Sequence, residues 1–173
     1  MSRLRRPFLY DRYIFVMVNL RKVRTELEEG DFECLARSMG RMRASHGFAL
    51  TAWVFLPDHW HAIFHPPYPL SISRVLKAIK VSSMIAINRR RGDAGELWQS
   101  RFFDHALRTV KDYMDTVEYI HLNPVRRGLV SRPGQWKWSS FHEYAGVDAQ
   151  EVHERCGLTI DRDRLPSDQR TRI

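Results

Sequence analysis

The stretch of sequence that decides the fold is TAWVFLPDHWHAIFH, residues 51–65. Two apolar segments, residues 49–56 and 59–65, flank Pro57 and Asp58, a pair of residues typical of a turn. Short runs of β-branched and aromatic residues are typical of strands, and two strands joined this closely pair antiparallel. The sequence therefore predicts a β-hairpin at the centre of the fold.

The residues before this hairpin predict one strand and one helix. Residues 12–20 are apolar and rich in β-branched and aromatic side chains, which favours a buried strand. Residues 24–45 place apolar side chains at helical spacing, and Gly30 and Gly40 mark possible interruptions of that helix.

The residues after the hairpin predict a helix, a strand and a second helix. The first helix begins at Ser71 or Ser73, either of which can cap it, and ends before residue 92. Residues 98–108 predict a fourth strand, and a last helix covers residues 111–122. This helix is expected to stop around Asn123, because a residue that precedes a proline disfavours the helical conformation.

The order strand, helix, strand, strand, helix, strand, helix predicts the fold class. It is typical of an α+β protein with a ferredoxin-like (RRM-like) antiparallel sheet and helices packed on one face. A chain of 173 residues fits one domain, which we place at residues 1–146. The more polar residues 147–173 are predicted to form a partly flexible C-terminal extension.

The charge balance favours a polyanionic partner. The chain has 28 Lys and Arg against 20 Asp and Glu, a formal net charge of +8 and a pI near 9.9. A basic surface attracts nucleic acid because each neutralised phosphate releases counterions. Two distant cysteines and the lack of an apolar run of roughly 18 residues lead us to expect a cytoplasmic protein without membrane association.

Basic residues at predicted helix ends and loops are candidates for contacts with a DNA backbone, although most charged runs are only solvated surfaces. The candidates are Arg5, Arg6, Arg74, Lys77, Lys80, Arg89, Arg90, Arg91, Arg126 and Arg127. The tryptophans at 98, 136 and 138 could stack on bases, but a core position is expected for at least two of them.

The second hairpin strand contains a possible metal site. His59 and His61 lie on one face of that strand, with Cα atoms roughly 6.6 Å apart, so both imidazoles could reach one ion. His65 lies roughly 13 Å from His61 at the same rise per residue and is too far for the same ion. A His-x-His pair in a strand is often only a polar edge, and that interpretation remains open.

The last predicted helix contributes a tyrosine that the core does not explain. Tyr113 falls on the apolar side of this helix, whereas Tyr119 and Asn123 fall together on a more polar side. A phenol titrates near 10, so Tyr119 would need a metal or a base to act as a nucleophile. Asn123 could supply a metal-binding oxygen, or it could simply end the helix before Pro124.

Four blocks of sequence resemble the REP-associated tyrosine transposases, a branch of the single-tyrosine HUH transposases. The blocks are LPDHWHAIF at 56–64, WQSRFFDH at 98–105, YIHLNPVRRGLV at 119–130 and WKWSS at 136–140. They follow the family's order over about residues 10–145, and the third block is the most specific. Asp58 replaces the asparagine that is usual before the first histidine, and Trp60 is a bulky residue between the histidines.

The resemblance implies an HUH-type endonuclease fold and a set of residue roles. His59, His61 and Asn123 would hold a divalent ion, Mg²⁺ or Mn²⁺. Tyr119 would attack a phosphate of single-stranded DNA near a hairpin, giving a covalent 5′-phosphotyrosine link that a second strand's 3′-OH can reverse. It also implies action on REP-like palindromes, association with the nucleoid, and a monomer rather than a homodimer.

Two alternative functions remain compatible with the sequence. A non-catalytic or domesticated single-stranded nucleic-acid-binding protein on the same fold would keep the basic residues and tryptophans. It would not require His59, His61, Tyr119 and Asn123 together. A metal-dependent hydrolytic nuclease would use water in place of Tyr119.

Overall fold

Four strands form one antiparallel sheet in the order β2-β3-β1-β4. The computed structural model describes residues 12–166. The strands are β1 (Ile14–Asn19), β2 (Ala49–Phe55), β3 (His59–His65) and β4 (Phe103–Ala106). This order, together with the succession of strands and helices, is the predicted ferredoxin-like arrangement, so the fold class is confirmed.

The predicted hairpin is formed by β2 and β3. Phe55 pairs with Trp60, and the turn is closed by the Leu56 amide, which donates to the His59 carbonyl at 2.9 Å. A register shift between Leu50 and Ala52 makes a bulge in β2. Beyond the bulge Val54 lies opposite His61, which gives both side chains the same face of the sheet.

The fourth strand is shorter than the predicted segment 98–108. Trp98 makes only an isolated bridge to Leu20, and its indole nitrogen donates to Ser83 at 2.9 Å. The following carbonyls of Gln99 and Ser100 turn to accept from the Lys80 ammonium at 2.6 and 3.1 Å. The Gln99 amide still donates to the Asn19 carbonyl at 2.9 Å, so the pairing is interrupted only after residue 99 and becomes regular at Phe103.

The three long helices lie on both faces of the sheet. Helices α1 (Glu29–His46) and α2 (Ile72–Arg91) pack on the face that carries Trp60, whereas α3 (Val110–Arg126) packs on the face that carries His61. The prediction that helices pack on one face therefore holds for α1 and α2 but was wrong for α3. The reason is that Phe15 and His61 give this face apolar and aromatic surface of its own, which α3 covers.

Helix α1 runs without a break through both glycines that were predicted as interruptions. Its start is fixed by a reciprocal cap in which the Glu28 amide donates to Asp31 at 3.0 Å. Gly30 leaves room for the Arg90 guanidinium, which a Cβ would overlap. A glycine costs a helix about 1 kcal/mol relative to alanine, which packing against α2 can offset.

Helix α3 continues past the proline that was predicted to end it. Pro124 lies in the last turn, where the loss of one amide donor costs a single hydrogen bond near the helix end. The Arg127 amide still donates to the Asn123 carbonyl, and the Leu129 amide to the Pro124 carbonyl, both at 2.9 Å. Asn123 is consequently a helical residue with a buried side chain that faces the sheet.

The segment after residue 137 covers the outer edge of β2. The Ser140 and Asp161 amides donate to the carbonyls of Trp53 and Leu50 at 2.9 and 2.8 Å. Helices α4 (Phe141–Tyr144) and α5 (Ala149–Cys156) follow, and Leu158 and Leu165 are buried. The described part of the predicted C-terminal extension, residues 147–166, therefore packs on the same core.

Among residues 12–166, none of the helices is both long enough and apolar enough to cross a bilayer.

A buried histidine is expected to make stability depend on pH. Burial, and the nearby charge of His142, lower the pKa of His121 to about 3, against 6.5 in an unfolded chain. The unfolded state therefore binds the extra proton first, and stability falls as the pH drops below about 6.5. Between pH 7 and pH 5 this histidine is expected to remove about 2 kcal/mol from the free energy of unfolding, measurable by urea denaturation.

The matching variant is His121→Gln, which keeps a partner for the Ser140 hydroxyl, 2.9 Å from the His121 ring. It is expected to be less stable than the unmodified protein at pH 7. Between pH 7 and pH 5, however, its free energy of unfolding should fall by about 2 kcal/mol less than that of the unmodified protein. The exposed His153→Gln serves as the control. An unchanged acid sensitivity in His121→Gln would contradict the assignment.

Candidate active site

Two histidines of β3 face each other on the α3 side of the sheet. The rings of His59 and His61 are nearly perpendicular, at 87°, and their Nε2 atoms lie 3.1 Å apart. Both side chains are buried, at 8% and 1% exposure, so this pair is not a solvated strand edge. The alternation of β3 thus places the two imidazoles as the sequence predicted.

Asp58 orients the first histidine. The Nδ1 of His59 donates to one Asp58 oxygen at 2.6 Å, which leaves Nε2 of a neutral ring as the lone-pair nitrogen. The other oxygen accepts from the Arg127 guanidinium at 2.6 Å. Burial works to raise the pKa of Asp58, but the bonds and charges of His59 and Arg127 outweigh it and hold that pKa below its usual value. Asp58 thereby ties β3 to the end of α3.

His61 is a neutral ring at any ordinary working pH. Burial, reinforced by the charge of His59, lowers the pKa of His61 to about 3. Its Nε2 lies 3.2 Å from the Asn123 side-chain amide and 3.1 Å from the Nε2 of His59. An unprotonated imidazole lone pair is the form of histidine that binds a metal ion.

Tyr119 lies against His61, one member of this pair. Its ring contacts the rings of His61 and Phe15 edge-on, with centroids 5.5 and 6.0 Å apart. The Arg126 guanidinium lies 5.3 Å from the centre of the same ring. At 38% exposure the Tyr119 residue is open to solvent. The structure therefore brings His59, His61, Asn123 and Tyr119 together from two elements.

The histidine pair has the geometry for one shared cation. Two nitrogens that each lie about 2.1 Å from an ion are about 3.0 Å apart at a right angle and about 3.4 Å apart at the tetrahedral angle. The observed separation of the Nε2 atoms, 3.1 Å, falls in this interval. Rotation of the Asn123 amide exchanges its nitrogen for its oxygen, which could then face the same ion.

Such a cation would be held by His59, His61 and Asn123. Within residues 12–166 no group of three or more His, Cys, Asp or Glu side chains is placed to hold a metal ion. The two histidines and the asparagine fit a divalent ion that keeps several other positions for water or substrate.

Half of the predicted DNA-contacting residues within the described part of the chain take part in internal bonds. Arg90 and Arg91 form ion pairs with the fully buried Asp31, and Lys80 donates to backbone carbonyls. Burial lowers the pKa of Lys80. Arg127 pairs with Asp58. These four side chains therefore bind other parts of the chain.

The other predicted contacts are divided between two faces. Arg74, Lys77 and Arg89 are exposed on α2, across the sheet from Tyr119, so the structure does not bring them to the site. Of the members of this group that lie within residues 12–166, Arg126 lies beside Tyr119. Arg5 and Arg6 lie outside the described residues. Among the tryptophans, Trp98 and Trp138 are buried, in line with the expected core positions.

A basic cleft near the histidines was missed by the sequence analysis. Arg21, Lys22 and Arg101 line a cleft of about 510 Å³ together with Glu96, which forms an ion pair with Arg21. The Leu20 amide donates to the Asp58 carbonyl, which places this cleft at the end of the sheet where β3 begins. The sequence could have indicated this cleft, because antiparallel pairing of β1 with β3 places the residues after β1 beside the residues before β3.

The chain is similar to proteins of known family. The sequence pattern of the family described as "Transposase IS200 like" matches residues 10–123. A REP-associated tyrosine transposase of Escherichia coli is 34% identical over 143 residues, 82% of this chain and 84% of the relative. A putative REP-associated tyrosine transposase of Haemophilus influenzae is 30% identical, again over 82% of this chain and 86% of the relative.

Solved structures support the same assignment. A REP-associated tyrosine transposase bound to a REP hairpin superposes with a TM-score of 0.73 at 33% identity, over 84% of this chain and 86% of that one. A putative transposase from Deinococcus radiodurans superposes with a TM-score of 0.50 at 16% identity, over 66% of this chain and 92% of that one, and shows the fold alone. The chain belongs to the IS200-like transposase family, within its group of REP-associated tyrosine transposases.

Proposed function

We propose that this transposase nicks and rejoins single-stranded DNA near hairpins, with Tyr119 as the nucleophile. The observation that carries the proposal is the placement of the half-exposed Tyr119 ring against His61, whose neighbour His59 presents a second imidazole nitrogen 3.1 Å away. A tyrosine beside two metal-competent nitrogens supplies what phosphodiester chemistry requires, a nucleophile and a site for charge stabilisation.

The reaction conserves the energy of the phosphodiester bond. The Tyr119 oxygen forms a bond to phosphorus and loses its proton, while the bond to the 3′ oxygen breaks and that oxygen takes up a proton. The product is a 5′-phosphotyrosine link and a free 3′-OH. The 3′-OH of another strand can then attack the link, which restores Tyr119 and joins the two strands without ATP.

His59, His61 and Asn123 are proposed to hold a divalent ion, Mg²⁺ or Mn²⁺. When bound, the ion would polarise the phosphate and stabilise its developing charge. The chain's own contribution is to keep the His61 imidazole neutral through burial and to aim the His59 ring through its bond to the Asp58 carboxylate. Two imidazole ligands suit Mn²⁺ better than Mg²⁺, which prefers oxygen.

The proposed substrate is a DNA hairpin with single-stranded flanks. A relative at 33% identity is described as bound to a REP hairpin, and the net charge of +8 suits a folded polyanion. Lys22 and Arg101, at the end of the sheet where β3 begins, are the proposed backbone contacts nearest His59. The protein is proposed to act as a monomer at the bacterial nucleoid.

The test is a search for the covalent product. Purified protein is incubated with 5′- and 3′-labelled hairpin DNA that has single-stranded flanks, with Mn²⁺, with Mg²⁺ or with a chelator. Denaturing gels are expected to show a protein–DNA band only with a divalent ion, carrying the label from the 3′ side of the nick. Absence of cleavage with any metal would favour a non-catalytic binding protein.

Removal of the Asp58 carboxylate is expected to weaken metal binding. Asp58→Ala frees the His59 ring and releases Arg127, and loss of such an orienting partner lowers metal affinity by about 10- to 100-fold. Asp58→Asn keeps an acceptor for the His59 Nδ1 proton and should lose less. Titration calorimetry with Mn²⁺ measures both, and the exposed Asp163→Ala is the control. Equal affinity in Asp58→Ala and the unmodified protein would remove Asp58 from the site.

A further inference from the structure

An aromatic notch adjoins the proposed nucleophile. It lies between β4 and α3 on the α3 face of the sheet and has a volume of about 270 Å³. This volume is large enough to admit one base. The lining residues are Phe15, Phe103, His105, Asp115, Thr116 and Tyr119.

Phe103 is the exposed wall of this notch. It lies on β4, an edge strand, opposite Met17, which in turn lies opposite His61, so all three side chains share the α3 face. Its ring is 52% exposed and lies 6.1 Å from the ring of Phe15. Phe15 also contacts Tyr119, so three aromatic rings form a continuous surface that begins at the nucleophile and ends in solvent.

The rim of the notch is polar. Asp115 and Thr116 lie one turn before Tyr119 on α3, and His105 follows Phe103 on the same face of β4. Asp115 pairs with Lys111, and His105 lies 3.8 Å from Asp112, and all four side chains are exposed. Aromatic walls with polar groups at the edge match a base, which has apolar faces and hydrogen-bonding edges.

We propose that the notch binds one unpaired base of the DNA strand, stacked on Phe103, next to the phosphate that Tyr119 attacks. This inference rests on the proposed function, because Tyr119 lines both the notch and the histidine pair. A base held there places its own phosphate within one nucleotide of the Tyr119 hydroxyl. The stacking orients the strand for attack, and it tolerates any base because each has a π-face.

The variant that tests the notch is Phe103→Ala. The probe is a hairpin oligonucleotide with single-stranded flanks, together with a series in which one abasic nucleotide is moved along the flanks. Loss of base–aromatic stacking is expected to weaken binding in a chelator by about 5- to 150-fold. With the unmodified protein, an abasic nucleotide at one position should weaken binding and cleavage to the same degree as Phe103→Ala does. The same abasic nucleotide should cause no further loss in Phe103→Ala.

Matched variants separate stacking from folding. Phe103→Trp keeps an aromatic face and should retain binding, whereas Phe103→Leu keeps an apolar side chain and should lose it. Ile85→Ala removes a similarly exposed apolar side chain from α2 and should change nothing. Unaltered DNA affinity in Phe103→Ala would overturn the proposal, as would a dimer that dissociates in Phe103→Ala with DNA binding unaffected, since the notch would then be a subunit contact.

The two proposals fail in different ways. If the covalent product forms equally in Phe103→Ala and the unmodified protein, with equal affinities, the base site is wrong and the transposase chemistry stands. If the unmodified protein forms no covalent product but Phe103→Ala still loses affinity at one abasic-sensitive position, the base site stands and the chemistry is wrong.

Discussion

Replacement of Tyr119 by phenylalanine is expected to lower formation of the covalent protein–DNA product by at least about 1000-fold. The phenol oxygen is the atom that bonds to phosphorus in the proposed reaction, and no phenylalanine atom can replace it. The remaining ring can keep its edge-on contacts with Phe15 and His61, so DNA affinity and fold should be retained. Denaturing gels measure the product, and filter binding in a chelator measures the affinity.

Tyr113→Phe is the matched control for this variant, because it removes a hydroxyl from the same helix away from the site. The Tyr113 hydroxyl lies 2.9 Å from that of Tyr144, and burial raises the pKa of Tyr113 to about 12. Its loss should cost about 1 kcal/mol of stability and leave the covalent product intact. Cleavage that survives Tyr119→Phe without a covalent product would indicate a hydrolytic nuclease that uses water.

The parts of the fold that follow from local patterns could be predicted from the sequence. Alternation along residues 59–65 gave both the bounds of β3 and the face shared by His59 and His61. The 3.6-residue period of α3 separated Tyr119 and Asn123 from the core residue Tyr113. These predictions held because each depends on one element, whose periodicity is imposed by backbone geometry.

The placement of α3 could not be predicted in the same way. Its apolar side packs equally well on either face of a sheet, and the choice depends on which face α1 and α2 leave uncovered. The end of the helix was misjudged because a following proline disfavours the helical conformation without forbidding it. In the fold, Asn123 is a helical residue whose buried side chain contacts His61.

The roles of individual basic residues could not be predicted from the sequence either. Arg90 and Arg91 pair with Asp31, about 60 positions away, and Arg127 pairs with Asp58. Nothing in the local sequence distinguishes these arginines from free ones, because the partner is fixed only by tertiary packing. Charge patterns thus predicted a polyanionic partner for the chain, but they could not assign the individual contacts.

Replacement of His61 by alanine is expected to eliminate metal-stimulated nicking. His61 contributes one of two imidazole nitrogens that face each other, and its burial keeps the pKa near 3, so no proton competes for that nitrogen above about pH 4. Without it, Mn²⁺ affinity should fall by more than about 100-fold, beyond the effect of an orienting partner. Titration calorimetry and the covalent-product gel measure the two losses.

His65→Ala is the matched control for His61→Ala, because His65 lies on the same strand and the same face. Its ring is tilted by 44° against the Tyr13 ring, with centroids 4.8 Å apart. It lies roughly 13 Å along the strand from His61, out of reach of a shared ion. His59→Ala, at a slightly more exposed position, guards against a folding defect in His61→Ala and should lose metal binding as well. If His65→Ala lost Mn²⁺ binding and both other variants kept it, the ion would lie elsewhere and Tyr119 would have no metal beside it. If all three variants kept Mn²⁺ binding and nicking, the paired imidazoles would have only a structural role.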